Sequence, residues 1–434
     1  MENQAYISRV HLKGYKSIRD MEIDFMPGLN IIIGPNGSGK TNFLEFLHSS
    51  YNAEYKNLIN NGKFGCDISI MIKRYHESLF SLQLSGSRNF SQRQKKMLFQ
   101  INNEIFKDNK LYSNIATSFN ENKTIVESKE DITELFSLDE TTLLSGVAED
   151  SVDYKAYKPT FAELTSSIYL RFENPLNTYL KETMNLKISF DNIKNLDGYS
   201  DSKNNETFNW IESSVVTDSQ NIGFIQRIFG RTIIKSFSGK EAKNIVEQLI
   251  NEELVINPSF KDDLARFSPI KDVKIDWEVV RKINSESGVL IENIYFLFYV
   301  NNSWLSWSQL SDGTKRLFYI IGNVFYSKPT NILFVEEPEL GIHPDQLFKL
   351  MDFLNEQSKE KQIIITTHSP EVLNILGNDE LDRIIVTRYD AEKGTQMHHL
   401  SPKQIRKGQI YIEETGDLKS FWVHSNLEEY EGAE

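Results

Sequence analysis

The sequence predicts an α/β protein built on a mixed sheet with flanking helices, and three observations lead there. A glycine-rich turn, residues 34–41, separates an apolar stretch at Leu29–Ile33 from a helix-forming stretch that starts at Lys40. Two near-continuous apolar runs, 332–335 and 362–366, have the make-up of parallel strands covered on both faces. Each run precedes a helical pattern, one near Gln346–Gln357 and one after Pro370.

In chain order, 1–90 reads as an N-terminal lobe. Alternating strand-like stretches at Tyr6–Leu12 and Met21–Phe25 lead to Leu29–Ile33 and a helix from Lys40 to about His48. A strand pair, Asp67–Arg74 and Leu79–Leu84, closes the lobe. Residues 91–265 differ in character: amphipathic stretches are interrupted by polar breaks at Asn120–Lys123 and Asp197–Glu206. The expectation there is a large, mostly helical insertion that docks or senses a partner. No heptad pattern lasts several turns, so a coiled-coil arm is not expected. The C-terminal lobe, 266–434, returns to α/β alternation, with a strand at Ile291–Val300 and a helix from Asp312.

Composition narrows the class. Of 434 residues, 39% are hydrophobic and 25% charged, which is ordinary globular usage and permits a packed core. A net charge of −13 argues against coating nucleic acid by bulk electrostatics. The basic cluster Arg88, Arg93, Lys95 and Lys96 reads as a solvated helix face. The single cysteine, Cys66, forms no internal disulfide and fits a reducing cytoplasm. Met1–Val10 lacks the apolar region of a secretory signal, and the longest apolar candidate, Val289–Val300, is broken by Glu292 and Asn293. The expected location is cytoplasmic, with no membrane partner.

Four motifs carry chemistry. Gly34-Pro35-Asn36-Gly37-Ser38-Gly39-Lys40-Thr41, followed by Asn42, satisfies G-x-x-x-x-G-K-[ST] in a strand–turn–helix context. Glycines let backbone N–H groups point at phosphates, and the helix N-terminus adds positive potential. Lys40 is expected to reach the β- and γ-phosphates of ATP, and the Thr41 hydroxyl to hold Mg²⁺. Next, Ile332-Leu-Phe-Val-Glu336-Glu337-Pro-Glu-Leu-Gly-Ile-His-Pro344 is an apolar strand ending in acids. Glu336 suits the Mg²⁺ shell and Glu337 the general base. His368, in Ile363-Ile-Ile-Thr-Thr-His-Ser-Pro370, stands at a strand end where a γ-phosphate sensor belongs. Finally, in Leu310-Ser311-Asp312-Gly313-Thr314-Lys315-Arg316, Ser311 is a good N-cap. Ser311, the Gly313 backbone and the helix N-terminus make a second anion site. One subunit does not need two such sites, whereas a dimer that shares them does.

In this order the motifs resemble those of ABC-type ATPases, in particular the branch containing RecF, the SMC proteins and the double-strand-break repair ATPases. The opening Ile7-Ser8-Arg9-Val10-His11-Leu12-Lys13-Gly14-Tyr15-Lys16-Ser17 is similar to that branch. LSDGT, EEPELGIHP and TTHSP look most like the standalone prokaryotic ATPases related to OLD-family proteins, many of which serve anti-phage defence systems such as Septu, Gabija and PARIS. The resemblance covers the first 50 residues and about 290–375. It implies a P-loop NTPase fold with an ABC-type head, ATP and Mg²⁺ as cofactors, and an ATP-sandwich homodimer. It also implies departures: Asp312 and Thr314 replace the usual signature glycine and glutamine, Glu336 replaces an aspartate, and the D-loop aspartate falls on His343. Gln83, Gln92 and Gln94 are candidates for the Q-loop residue.

A second activity is not expected. Only 434 − 368 = 66 residues follow His368, too few for the Toprim domain of OLD nucleases. No histidine lies between His76 and His343, which removes an HNH nuclease. The triplets Glu127-Ser128-Lys129 and Asp272-Val273-Lys274 are too common in a charged chain to signal a restriction-type nuclease. Three functions compete. The first is a dimeric ATPase controlling a separately encoded effector, such as a nuclease, in defence. The second is a RecF-like ATPase that clamps DNA, and the third is the ATP-binding subunit of a membrane transporter. The roughly 270 residues between Lys40 and Ser311 favour the first.

Overall fold

The computed structural model describes residues 4–51, 64–74, 76–91, 96–107, 110–120, 123–128, 167–171, 184–189, 215–217, 228, 256–283, 288–327 and 331–424. Its main sheet is built outward from a parallel centre. β3 (Leu29–Ile33) pairs in parallel with β17 (Ile363–Thr367), which pairs with β16 (Ile332–Glu336), which pairs with β9 (Ser167–Leu170). On its other side β3 lies parallel to β18 (Ile384–Asp390).

From β18 the sheet turns antiparallel through β19 (Gly394–His399), β2 (Ile18–Asp24) and β1 (Gln4–Tyr15). It continues through β4 (Phe64–Arg74), β5 (His76–Ser91), β6 (Lys96–Lys107), β7 (Lys110–Asn120) and β8 (Lys123–Ser128). A second sheet centres on β14 (Gly288–Val300). β10 (Met184–Ser189), β12 (Asp272–Asp276), β13 (Val279–Ile283) and β15 (Ser303–Leu305) all pair with it, and β11 (Val215–Thr217) pairs with β10.

The apolar runs follow from burial on both faces. Along β3, Ile31 and Ile33 enter one core while Ile32 enters the other. β16 divides in the same way, Leu333 and Val335 against Ile332 and Phe334, and so does β17, Ile363 and Ile365 against Ile364. A period of two with both faces covered demands an apolar residue at nearly every position.

One core is closed by α1 (Lys40–Tyr51), whose Phe43, Phe46 and Leu47 are fully buried. The other is closed by α2 (Pro258–Phe267), α3 (Asp312–Tyr326) and α4 (Pro344–Ser358). Phe318 of α3 meets Phe298 of β14 edge to face with ring centroids 4.9 Å apart, which joins the second sheet to this core. α5 (Pro402–Thr415) and α6 (Leu418–His424) follow the main sheet.

The mostly helical insertion expected over 91–265 needs correction for the described residues, which are largely strands. β6, β7 and β8 extend the β5 hairpin as an antiparallel meander. The alternation Met97, Phe99, Ile101 and Ile105 has period two and suits a strand. The boundary at 90/91 cuts through β5, and β9 and β10 carry parts of this stretch into both sheets. Arg88 and Lys96 lie on strands rather than a helix face, while Arg93 and Lys95 fall outside the described residues. After Pro370 the chain forms a 3₁₀ turn, Pro370–Ile375. Among the described residues no helix is long and apolar enough to cross a membrane.

Candidate nucleotide site

The parallel strands β3, β16 and β17 end on the same edge of the sheet, and their C-terminal ends carry most of the residues singled out from sequence. The Gly34–Thr41 loop is pressed against β18 and β19. A Cβ at Gly34 would stand 2.1 Å from the Thr387 carbonyl oxygen, and one at Gly39 would stand 2.1 Å from Thr395 Oγ1. Gly39 also has φ +101°, so steric room and backbone conformation both require glycine there.

Lys40 Nζ donates to the carbonyl oxygens of Gly34 (2.7 Å) and Pro35 (3.0 Å), which holds the ammonium inside the curve of the loop. Burial pulls the Lys40 pKa below its ordinary value, opposed by the nearby carboxylates of Glu337, Glu339 and Glu336. Ser38 Oγ is buried without a hydrogen-bond partner among the described residues. An orphaned hydroxyl in a glycine-rich loop at a helix N-terminus fits a site that takes phosphate oxygens. Asn42 is turned elsewhere: its side-chain amide donates to Ser17 Oγ (2.9 Å), which lies 2.8 Å from Thr395 Oγ1.

At the end of β16, Glu336 receives the Thr41 hydroxyl on Oε1. Two oxygen ligands of this kind fit Mg²⁺, a hard cation that takes one or two carboxylates and fills its shell with phosphate oxygens and water. No group of three or more His, Cys, Asp or Glu side chains suited to a transition metal occurs among the described residues.

Glu337 follows with φ +44°, in the left-handed region. Such a backbone costs a non-glycine residue about 1–2 kcal/mol. Its amide still donates to the Thr366 carbonyl (2.8 Å), so the chain bends only after the last rung of the ladder. The Glu337 carboxylate lies 3.3 Å from His368 Nδ1, which joins the expected base to the expected sensor.

Glu339 was not assigned from sequence, although the third acid of Glu-Glu-Pro-Glu was visible. It accepts from Thr367 Oγ1 (2.5 Å) and from the His368 amide (3.3 Å), and lies 3.6 Å from His368 Nδ1. Burial raises its pKa, partly offset by those hydrogen bonds. It anchors the turn that presents His368.

Ser311 caps α3, accepting from the Thr314 amide (3.2 Å). A Cβ on Gly313 would stand 2.6 Å from the Gly341 carbonyl oxygen, so the start of α3 rests on the loop after Glu337. His343 caps α4 through the Asp345 amide (3.3 Å) and is largely exposed. Ser311 and His343 are exposed, and Gly313 is half-buried against Gly341.

Of the Q-loop candidates, Gln83 lies on β5, separated from β16 by seven strands in the sheet order β5-β4-β1-β2-β19-β18-β3-β17-β16, and Gln92 and Gln94 lie outside the described residues. The strand beside β16 is instead β9. Tyr169 OH donates to Glu336 Oε2, and Arg171 Nε lies 3.5 Å from the same oxygen. Of the nuclease-like triplets, Asp272 pairs with Lys261 (2.8 Å) and Lys274 lies over the Trp304 ring (4.8 Å). Glu127 and Lys129 cannot be placed together, because 129 lies outside the described residues.

A strand–glycine loop–helix unit, an acid-ended strand beside it and a mixed sheet covered by helices define an α/β protein of the P-loop nucleotide-binding class. Residues 29–374 match the model of the family described as "AAA domain, putative AbiEii toxin, Type IV TA system", and the chain belongs to that family.

The chain is 27% identical over 193 residues to the DNA replication and repair protein RecF of Streptococcus agalactiae, covering 43% of this chain and 47% of that protein. It is 50% identical over 42 residues to RecF of Desulfitobacterium hafniense, covering 10% of this chain and 12% of that one. It therefore spans about half the length, or less, of these curated relatives. Among solved structures, an Smc head bound to the C-terminal winged-helix domain of ScpA is 14% identical with a TM-score of 0.45, over 93% of this chain and 99% of that one.

Proposed function

We propose that the chain binds ATP with Mg²⁺ and hydrolyses the bond between the β- and γ-phosphates. The observation that carries this reading is the meeting of Lys40, the Thr41–Glu336 pair and the Glu337–His368 pair at the ends of three adjacent parallel strands. Loop amides and Lys40 grip the phosphates. Thr41 and Glu336 hold Mg²⁺, which supplies neutralising charge to the phosphate oxygens. Glu337 takes a proton from the attacking water as its oxygen bonds to the γ-phosphorus and the bond to the β-phosphate oxygen breaks, leaving ADP and phosphate. His368, held by Glu339, faces the γ-phosphate. Mg²⁺-dependent phosphate release that a chelator abolishes supports this, and no release at any nucleotide concentration overturns it.

In this reading two copies close head to head. Ser311, Gly313 and the N-terminus of α3 from one copy complete the phosphate site of the other. The exposure of Ser311 and of His343 supports that arrangement. Ser311→Asp separates capping from closure, because Asp caps a helix as well as Ser does. The variant is expected to fold and bind nucleotide as a monomer, yet to lose the ATP-dependent dimer, since a second anion then opposes the γ-phosphate. Light scattering with and without ATP checks this.

The dimer is proposed to control a separately encoded effector in anti-phage defence. The family description, which names a toxin–antitoxin system, supports that role. Co-expression with the neighbouring gene product should lower phage plating, and Lys40→Ala should restore it. Unchanged plating across a phage panel counts against it. The similarity to RecF favours a second reading, a DNA-clamping ATPase. That reading predicts ATP-stimulated DNA binding that weakens steeply with salt, and absent or salt-insensitive binding removes it.

A further inference from the structure

We infer that Tyr169, on β9, and Arg171, just after it, are positioning residues that clamp the metal-holding carboxylate Glu336 from the middle of the chain. The inference rests on the assignment of Glu336 to the Mg²⁺ shell. The two oxygens of Glu336 face different partners. Oε1 meets the Thr41 hydroxyl, while Oε2 receives the Tyr169 hydroxyl and faces Arg171 Nε at 3.5 Å. With Oε2 held, the carboxylate cannot rotate, and Oε1 stays turned toward Thr41. Partners behind a metal ligand fix its orientation in this way, and their loss costs about 10–100-fold in metal affinity.

The clamp is itself braced. β9 runs parallel to β16 with Tyr169 opposite Phe334 and Leu170 opposite Val335. On its helix side, Ser167 Oγ lies 3.0 Å from His48 Nδ1, and the Tyr169 and His48 ring centroids are 5.3 Å apart. Arg171 is shared: Nη1 pairs with Glu45 of α1, which also takes Lys16 from the turn between β1 and β2. Residues 129–166 and 172–183 flank β9 in sequence. β9 thus gives the middle stretch, expected to dock or sense a partner, a direct hold on the carboxylate assigned to the metal, and a shift of β9 would loosen Glu336.

The test uses the full chain and Mn²⁺ as a spin probe for the Mg²⁺ site, titrated with and without a non-hydrolysable ATP analogue. Tyr169→Phe keeps the ring and removes only the donor. It is expected to weaken nucleotide-dependent Mn²⁺ binding about tenfold while leaving metal-free analogue binding and the unfolding midpoint unchanged. Arg171→Lys keeps the charge but cannot reach both carboxylates, and should lose metal affinity by a smaller factor. If both variants bind Mn²⁺ as the unaltered protein does, the clamp is overturned while the nucleotide site stands. If the unaltered protein binds Mn²⁺ no better with the analogue than without it, the Mg²⁺ assignment falls and the clamp with it.

Discussion

Glu337→Gln is expected to keep ATP bound and to slow turnover by about 10²–10⁴-fold, the usual contribution of a general base. The amide is nearly the size of the carboxylate and can still face His368 Nδ1, so the turn after β16 should keep its shape. What is lost is a group able to accept the proton of the attacking water. In the proposed mechanism closure precedes hydrolysis, so the trapped state should accumulate as an ATP-dependent dimer, visible by size-exclusion chromatography with light scattering. Turnover equal to that of the unaltered protein would show that Glu337 is not the base. Mutating Glu339 is a different experiment: its carboxylate is tied to Thr367 and the His368 amide, and its loss would disturb the turn itself.

Lys40→Ala should act one step earlier. The ammonium sits inside the loop, donating to two carbonyl oxygens and facing three glutamates. A charge-assisted hydrogen bond to phosphate contributes about 1.5–3 kcal/mol, so its loss should weaken ATP by about tenfold to a hundredfold. Equilibrium binding of a fluorescent ATP analogue measures the change, and a dissociation constant that does not move would remove Lys40 from the site. The two variants thus separate binding from chemistry.

The motifs of the candidate site were legible in the sequence because the proposed chemistry uses fixed residue types at short spacings. Gly34 to Thr41 form one loop, Glu336 and Glu337 end one strand, and His368 ends another, so each motif is local. The strands that carry them were equally legible, since β3, β16 and β17 face two cores and must be apolar at almost every position. Tyr169 and Arg171 left no such trace. The strand that holds Tyr169 and ends just before Arg171 is four residues long, too short to show a period, and its partner β16 lies more than 160 residues further along the chain. Parallel pairing over that distance has no local signature. Glu339 was visible as an acid, but its contacts with Thr367 and His368 depend on two strand ends meeting. The helical expectation for the middle stretch failed in β6–β8 because amphipathic windows broken by polar turns suit hairpins as well as helices.

The central claim is that each phosphate site is shared, with the loop of one copy facing the Ser311 helix of the other. Mixing Lys40→Ala protein with Ser311→Asp protein tests it directly at an ATP concentration well below the dissociation constant of Lys40→Ala, where that variant stays unloaded and Ser311→Asp stays monomeric. In a two-fold dimer the mixed species holds one doubly damaged site and one intact site, so equal mixing should restore about one quarter of the unaltered ATPase rate. A mixture that stays as inactive as its separate components would contradict the shared site.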